Sequence, residues 1–233
     1  MLNLARSLVV TASALCLAGA AFAAPITPGS TSFGTLTGAT FAGTGIPNNA
    51  VAITTLGTLT LGLTAHQRFG AAPVTNDGSG TFNANAGVSL NAPSPANPYA
   101  TWNFGYYIGG AAASQHSFSI FYDFDPAAAN DESSHGRTSS AIGSVTTTTQ
   151  GSWNLGMDFL ETGIAGVTPP TFATFDPNAA GQYTFALVAY NADGSEAART
   201  AILVNVNRVP EPTSLALVGL ALAGLGFVGR RKA

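Results

Sequence analysis

Trp102, Phe104 and Tyr106 fall at every second position, and so do Phe118, Ile120, Tyr122 and Phe124. A spacing of two sends alternate side chains to opposite faces of an extended chain, so each set lines one face of a strand. No long stretch between residues 24 and 208 carries the helical period, and turn residues separate the alternating runs. That excludes a helical bundle and predicts an all-β body. Candidate strands cover residues 32–41, 51–64, 80–90, 101–108, 115–124, 139–148, 152–160, 182–190 and 197–206. Short strands at this density predict a single β-sandwich, immunoglobulin-like or jelly-roll-like, although a partial barrel has the same pattern.

The last third is the most readable. Asp176-Pro177 suits the cap and first position of a helical turn, which Gly181 ends. Tyr183, Phe185, Leu187 and Ala189 then point to one side, and Asn191-Ala192-Asp193-Gly194 turns the chain into a final strand. Gly181-x-Tyr183 at the start of the penultimate strand is similar to the tyrosine corner of immunoglobulin-like domains, which bears on fold and not on activity.

Only 8% of the chain is charged, against about 25% in ordinary soluble domains. Between residues 24 and 208, four arginines (Arg68, Arg137, Arg199, Arg208) and no lysine face ten acidic residues, a formal balance of −6. Such a surface excludes nucleic acid and anionic lipid as partners, since both require clustered positive charge. About 185 residues are enough for one domain with a sizeable core. Cys16, the only cysteine, lies before this body, which must therefore fold without disulfides or thiolate metal sites.

Both ends are apolar. At the start, Arg6 precedes an apolar run, and Ala21-Phe22-Ala23 supplies small residues at Ala21 and Ala23. Charged start, short apolar core and A-x-A site predict a secretory signal peptide over residues 1–23, cut after Ala23. At the other end, residues 213–228 are uncharged, and as a helix they would extend about 24 Å. With the basic flank Arg230, Arg231 and Lys232, which the positive-inside rule keeps cytoplasmic, they predict a transmembrane helix over residues 213–229. The body is then exported through the inner membrane and held on its outer face. Before the helix comes Val209-Pro210-Glu211-Pro212, whose prolines keep the backbone extended.

Pro-Glu-Pro, a short apolar helix and a terminal basic cluster together resemble the PEP-CTERM sorting signal of Gram-negative bacteria, here over residues 209–233. The resemblance implies an exosortase, a membrane protease or transpeptidase, as processing partner. It implies transient residence in the inner membrane, then a place on the cell surface or in an exopolysaccharide or biofilm matrix. The stretches "FYDFDP" and "GSWNLGMDFLE" are also similar to bodies found with such tails, which adds no activity.

Within the body, residues 122–136 ("YDFDPAAANDESSHG") hold the densest polar cluster. Asp123, Asp125 and Asp131 are candidate calcium ligands, since calcium takes hard oxygen donors from loops. However, Asp125-Pro126 repeats the capped turn of Asp176-Pro177, and the spacing fits no fixed calcium loop. His66, His116 and His135 lack ligand spacing and read as surface or strand histidines. Asp158 and Glu161 straddle a strand end, but spacing alone does not define a glycosidase pair. No serine sits in a Gly-x-Ser-x-Gly elbow, and no glycine loop has the context of a phosphate site. Trp102, Tyr106, Tyr107 and Trp153 could stack on sugars if exposed, though alternating aromatics usually fill a core.

The expectation is an exported, non-enzymatic surface or matrix protein that needs no cofactor. Two alternatives remain: a carbohydrate-binding module in the matrix, and a secreted hydrolase with no recognisable motif. An exposed aromatic row on one sheet would favour the module, and a buried row the structural protein.

Overall fold

A computed structural model describes residues 24–41, 46, 48–139, 142–172 and 174–208. The signal segment (Ala21 and Ala23 included), the sorting motif at Val209, Pro210, Glu211 and Pro212, the helix over 213–229 and Arg230, Arg231 and Lys232 lie outside these residues.

The strands are β1 (Ser32–Gly34), β2 (Val51–Leu56), β3 (Leu59–Gln67), β4 (Thr75–Asn76), β5 (Thr81–Asn85) and β6 (Trp102–Gly109). They continue with β7 (Ser117–Tyr122), β8 (Gly136–Thr138), β9 (Thr148–Trp153), β10 (Val167–Thr168), β11 (Gly181–Tyr190) and β12 (Glu196–Asn207). One short helix, α1, spans Asp158–Thr162. Among the described residues no helix is long and apolar enough to cross a membrane. The body is all-β, as its alternation predicts.

One sheet has the order β1-β2-β3-β6-β9 and the other β10-β8-β7-β11-β12-β5-β4. Pairing is antiparallel except for β12 with β5, which run parallel from Leu203↔Thr81 to Asn207↔Asn85. The sheets face each other across one core. Trp102 and Phe104 of the first meet Phe185 of the second, with ring centroids 6.0 and 4.7 Å apart. Each such ring pair adds about 0.5–1.5 kcal/mol beyond the area it buries. Phe118, Ile120, Tyr122 and Phe124 all point into this core, so the period-two reading of that strand holds. Thr54 and Thr200 tie the layers, donating to Arg199 O at 2.8 Å and Ala52 O at 3.1 Å.

The outward faces are also partly covered. Ile26 packs on Phe121, Ala186, Val188 and Ala201, and Gly29 exchanges backbone hydrogen bonds with Ala201. On the other sheet, Phe41 lies over Gly105, where a Cβ would come within 3.0 Å of its ring.

Four expectations about local structure need correction. Residues 51–64 are not one strand, because Gly57, at φ +58°, turns the chain between β2 and β3. Residues 32–41 form a strand only over Ser32–Gly34, and 36–41 fold across the sheet instead. The strand expected at 139–148 is displaced. Threonines there favour strand, but the edge of β6 is taken by Thr148–Trp153, which brings Trp153 against Phe104 and Tyr106. Consequently the segment expected as strand to residue 160 bends after Trp153 and enters α1, with Asp158 and Glu161 exposed in its first turn.

Candidate functional site

The strand ends sort the molecule into two poles. At one, Asn85, Trp102, Tyr122, Gly181 and Asn207 end or begin their strands, and long connections cross (residues 86–101 and 123–135). The described chain leaves from this pole: Asn207 O accepts from Ala86 N at 2.8 Å, and Arg208 follows, exposed. The sorting motif begins there.

The acidic loop 123–135 is also at this pole, and the structure does not gather its three candidate ligands. Asp123 is buried at the end of β7, where Oδ1 accepts from Asp125 N at 2.9 Å and Oδ2 from Asn130 Nδ2 at 3.0 Å. Asp125 caps its own turn, accepting from Ala127 N at 2.9 Å. Asp131 caps the 3-10 turn Glu132–Ser134, accepting from Ser133 N at 2.8 Å. Among the described residues no group of three His, Cys, Asp or Glu side chains is arranged to hold a metal ion. These carboxylates serve turns, as the Asp-Pro logic predicts for Asp125; Asp176 likewise accepts from Asn178 N at 2.9 Å.

His135 is not a surface residue. Its side chain is buried, Nδ1 donates to Asp131 O at 3.0 Å, and Nε2 lies 2.6 Å from Thr184 Oγ1 and 3.5 Å from Asp123 Oδ2. With a neutral ring, Nε2 accepts from the Thr184 hydroxyl. Burial pushes the Asp123 carboxyl above the usual carboxylate range, against the lowering effects of the Asn130 hydrogen bond and of His135. The sequence carries no sign of this cluster, because Thr184 comes from β11, far along the chain.

His66 is buried too. Nδ1 donates to Gln67 O at 3.1 Å and Nε2 accepts from Ser152 Oγ at 2.9 Å; burial lowers its pKa. Asn103 Nδ2 donates to the same Ser152 Oγ at 2.8 Å, and Asn154 Nδ2 donates to Asn103 Oδ1 at 2.7 Å. Among the described residues, every buried side-chain nitrogen and oxygen has a hydrogen-bond partner. Buried polar groups that are fully satisfied in this way rigidify the fold and specify its packing. His116 sits at the opposite pole, with Nδ1 3.3 Å from Tyr190 O.

Of the four aromatic candidates, Trp102 and Tyr106 are buried, and Tyr107 and Trp153 are half-buried. Trp102 contacts Tyr183 and Phe185, and Tyr106 contacts Trp153 at 4.9 Å. Trp153 also packs edge-on against Phe159 at 5.4 Å, and Tyr107 packs against the cluster of Phe41. Three of the four arginines of the body are engaged as well. Arg199 pairs with Glu132 at 2.8 Å and Glu196 at 2.9 Å, Arg137 lies over Phe121 and Tyr190, and Arg68 over Tyr99.

The structure thus gives a β-rich body whose C-terminal extension leaves from the pole of the long loops. Residues 208–232 match the family model of the PEP-CTERM protein-sorting motif. The chain therefore carries a PEP-CTERM sorting motif, and the motif indicates an exported protein that an exosortase, a membrane enzyme, sorts to the cell surface. No curated protein matches the chain.

Proposed function

We propose that this is a non-enzymatic protein of the cell surface or exopolysaccharide matrix. Its signal peptide is removed after Ala23, and its tail is held in the inner membrane by residues 213–229 until an exosortase processes it. The sorting motif at residues 208–232 carries the reading. Two features of the body support it: the aromatic row fills the core, and the buried polar groups are satisfied within the fold. The burial of Trp102 and Tyr106 favours a structural role over a carbohydrate-binding module.

Replacing Pro210-Glu211-Pro212 by three alanines tests the reading. Alanines let the helix extend upward and remove both the extended backbone and the Glu211 carboxylate. If the tail is a sorting signal, uncut precursor accumulates in the inner membrane and leaves the matrix. If it is only an anchor, the protein fractionates as before, because the apolar segment and Arg230, Arg231 and Lys232 are intact. Equal amounts of matrix protein from the two chains would defeat the proposal.

A further inference from the structure

Large apolar side chains stay exposed at the pole where the tail leaves: Phe69 at 65%, Val88 at 43% and Leu90 at 93% beside one another, and Phe172 next to Thr171, which bonds Ser134 of the acidic loop. Val88 and Leu90 belong to a tongue, residues 86–101, that folds back on itself. Val88 bridges Ala100, Ser89 N donates to Tyr99 O at 2.8 Å, and Asn97 N donates to Ser94 O at 3.2 Å. Arg68 fixes its base, donating to Ser89 Oγ at 3.1 Å and to Asn91 O at 3.2 Å with its guanidinium 4.8 Å from the Tyr99 ring centre. Asn91 Nδ2 donates to Phe69 O at 3.1 Å, so Phe69 is held beside the tongue. The structure therefore holds these apolar groups outward at the cost of keeping them in water.

Composition and position say what covers them. Residues 78–122 contain no Asp, Glu, Lys or Arg, in a body that is otherwise acidic. The tongue's own side chains carry no ion to desolvate on entering a headgroup layer, and the one cation beside them, Arg68, is held at its base by Ser89, Asn91 and Tyr99. The tongue starts at Ala86, bonded to Asn207, and only residues 208–212 separate Asn207 from the apolar segment at Thr213. Fully extended, that link reaches about 20 Å. It keeps this pole at the membrane surface, where the tether replaces a bimolecular encounter by a local one.

We propose that the tongue, with Phe69 beside it, rests on the outer leaflet of the membrane in the tail-anchored precursor. This rests on the reading that residues 213–229 span the membrane. The surface it fits is zwitterionic lipid, because the net acidic body is repelled by anionic headgroups. The contact holds the body in one orientation and keeps Pro210-Glu211-Pro212 at the leaflet surface, within reach of a membrane enzyme.

The test uses the full chain carrying Cys16→Ser, reconstituted in phosphatidylcholine vesicles, with an environment-sensitive fluorophore on Leu90→Cys or on Ala192→Cys. Ala192 is exposed in the turn that follows β11, at the opposite pole. Nitroxide-labelled lipid is expected to quench the probe at position 90 about twofold more than at 192, as interfacial insertion requires. Adding Phe69→Ser should lower that quenching while leaving the melting temperature unchanged. Equal quenching at the two positions, in protein that floats with the vesicles, overturns the proposal and leaves the anchor intact. Protein that does not float overturns the anchor, and the proposal with it.

Discussion

The two poles of the body are built differently. Opposite the tail lie the tightest turns, Gly57-Thr58 between β2 and β3 and residues 191–195 between β11 and β12, together with connections of intermediate length, 110–116 and 139–147. At the tail pole the connections 86–101 and 123–135 are long, and they carry both the exposed apolar tongue and the buried Asp123–His135 pair. Long ordered loops at one end of a β scaffold are where function usually resides. Here the long loops and the exit toward the sorting motif coincide.

The comparison can be broken most severely at the short pole. A Cβ on Gly110, which has φ +105°, would collide with the Thr58 carbonyl oxygen. Gly110→Ala therefore combines a backbone clash with a left-handed conformation and should cost about 4 kcal/mol or more. Little soluble body and a large drop in melting temperature are the expected readouts.

Next is the loop at the tail pole. Asp123→Ala leaves Asp125 N without its acceptor, takes one of two acceptors from Asn130 Nδ2, which keeps Asp125 O, and opens space beside His135. About 3 kcal/mol of destabilisation is expected, measurable by urea unfolding with an unchanged slope. The poles also differ in pH response. Asp123, raised by burial, binds its proton more readily in the folded than in the unfolded chain, so the stability it contributes falls as pH rises from the ordinary carboxylate pKa through the raised one. Asp193, at the opposite pole, is lowered by hydrogen bonds from the Ser195 hydroxyl and N–H, so its contribution is lost as pH falls through the lowered value. Melting temperatures across the carboxylate range should therefore shift in opposite senses for Asp123→Asn and Asp193→Asn relative to the parent.

Tyr183→Phe is a smaller cut. The Tyr183 hydroxyl donates to Ala179 O at 3.2 Å, which is the tyrosine-corner contact that Gly181-x-Tyr183 suggests. Its loss should cost about 1 kcal/mol. Least of all should come from calcium. Asp123, Asp125 and Asp131 are each occupied by backbone or side-chain N–H groups, so melting in millimolar calcium and in chelator should coincide.

What the sequence reveals follows from range. The final hairpin is legible because alternation, an Asp-Pro cap and an Asn-Asp-Gly turn all fall within one short segment; strands expected at 182–190 and 197–206 form over Gly181–Tyr190 and Glu196–Asn207. The β2–β3 turn is hidden because Leu56 and Leu59 flank just two residues, and the run of Thr and Leu reads through them. Residues 139–148 mislead because threonine-rich sequence satisfies strand propensity without deciding which segment pairs with β6. The partners of His135 and His66 cannot be read locally, since Thr184 and Ser152 come from distant strands. The sorting motif, in contrast, is fully local: residue order suffices, and the fold adds only the place from which it departs.

Export and sorting both leave their mark at the ends of the chain, and intact-mass measurement of protein recovered from the extracellular matrix reads both at once. The predicted species begins at Ala24 and lacks the apolar segment and the basic residues that follow Pro212, with or without a transferred group at the new terminus. A mass that retains residues 213–233 in matrix protein would contradict it.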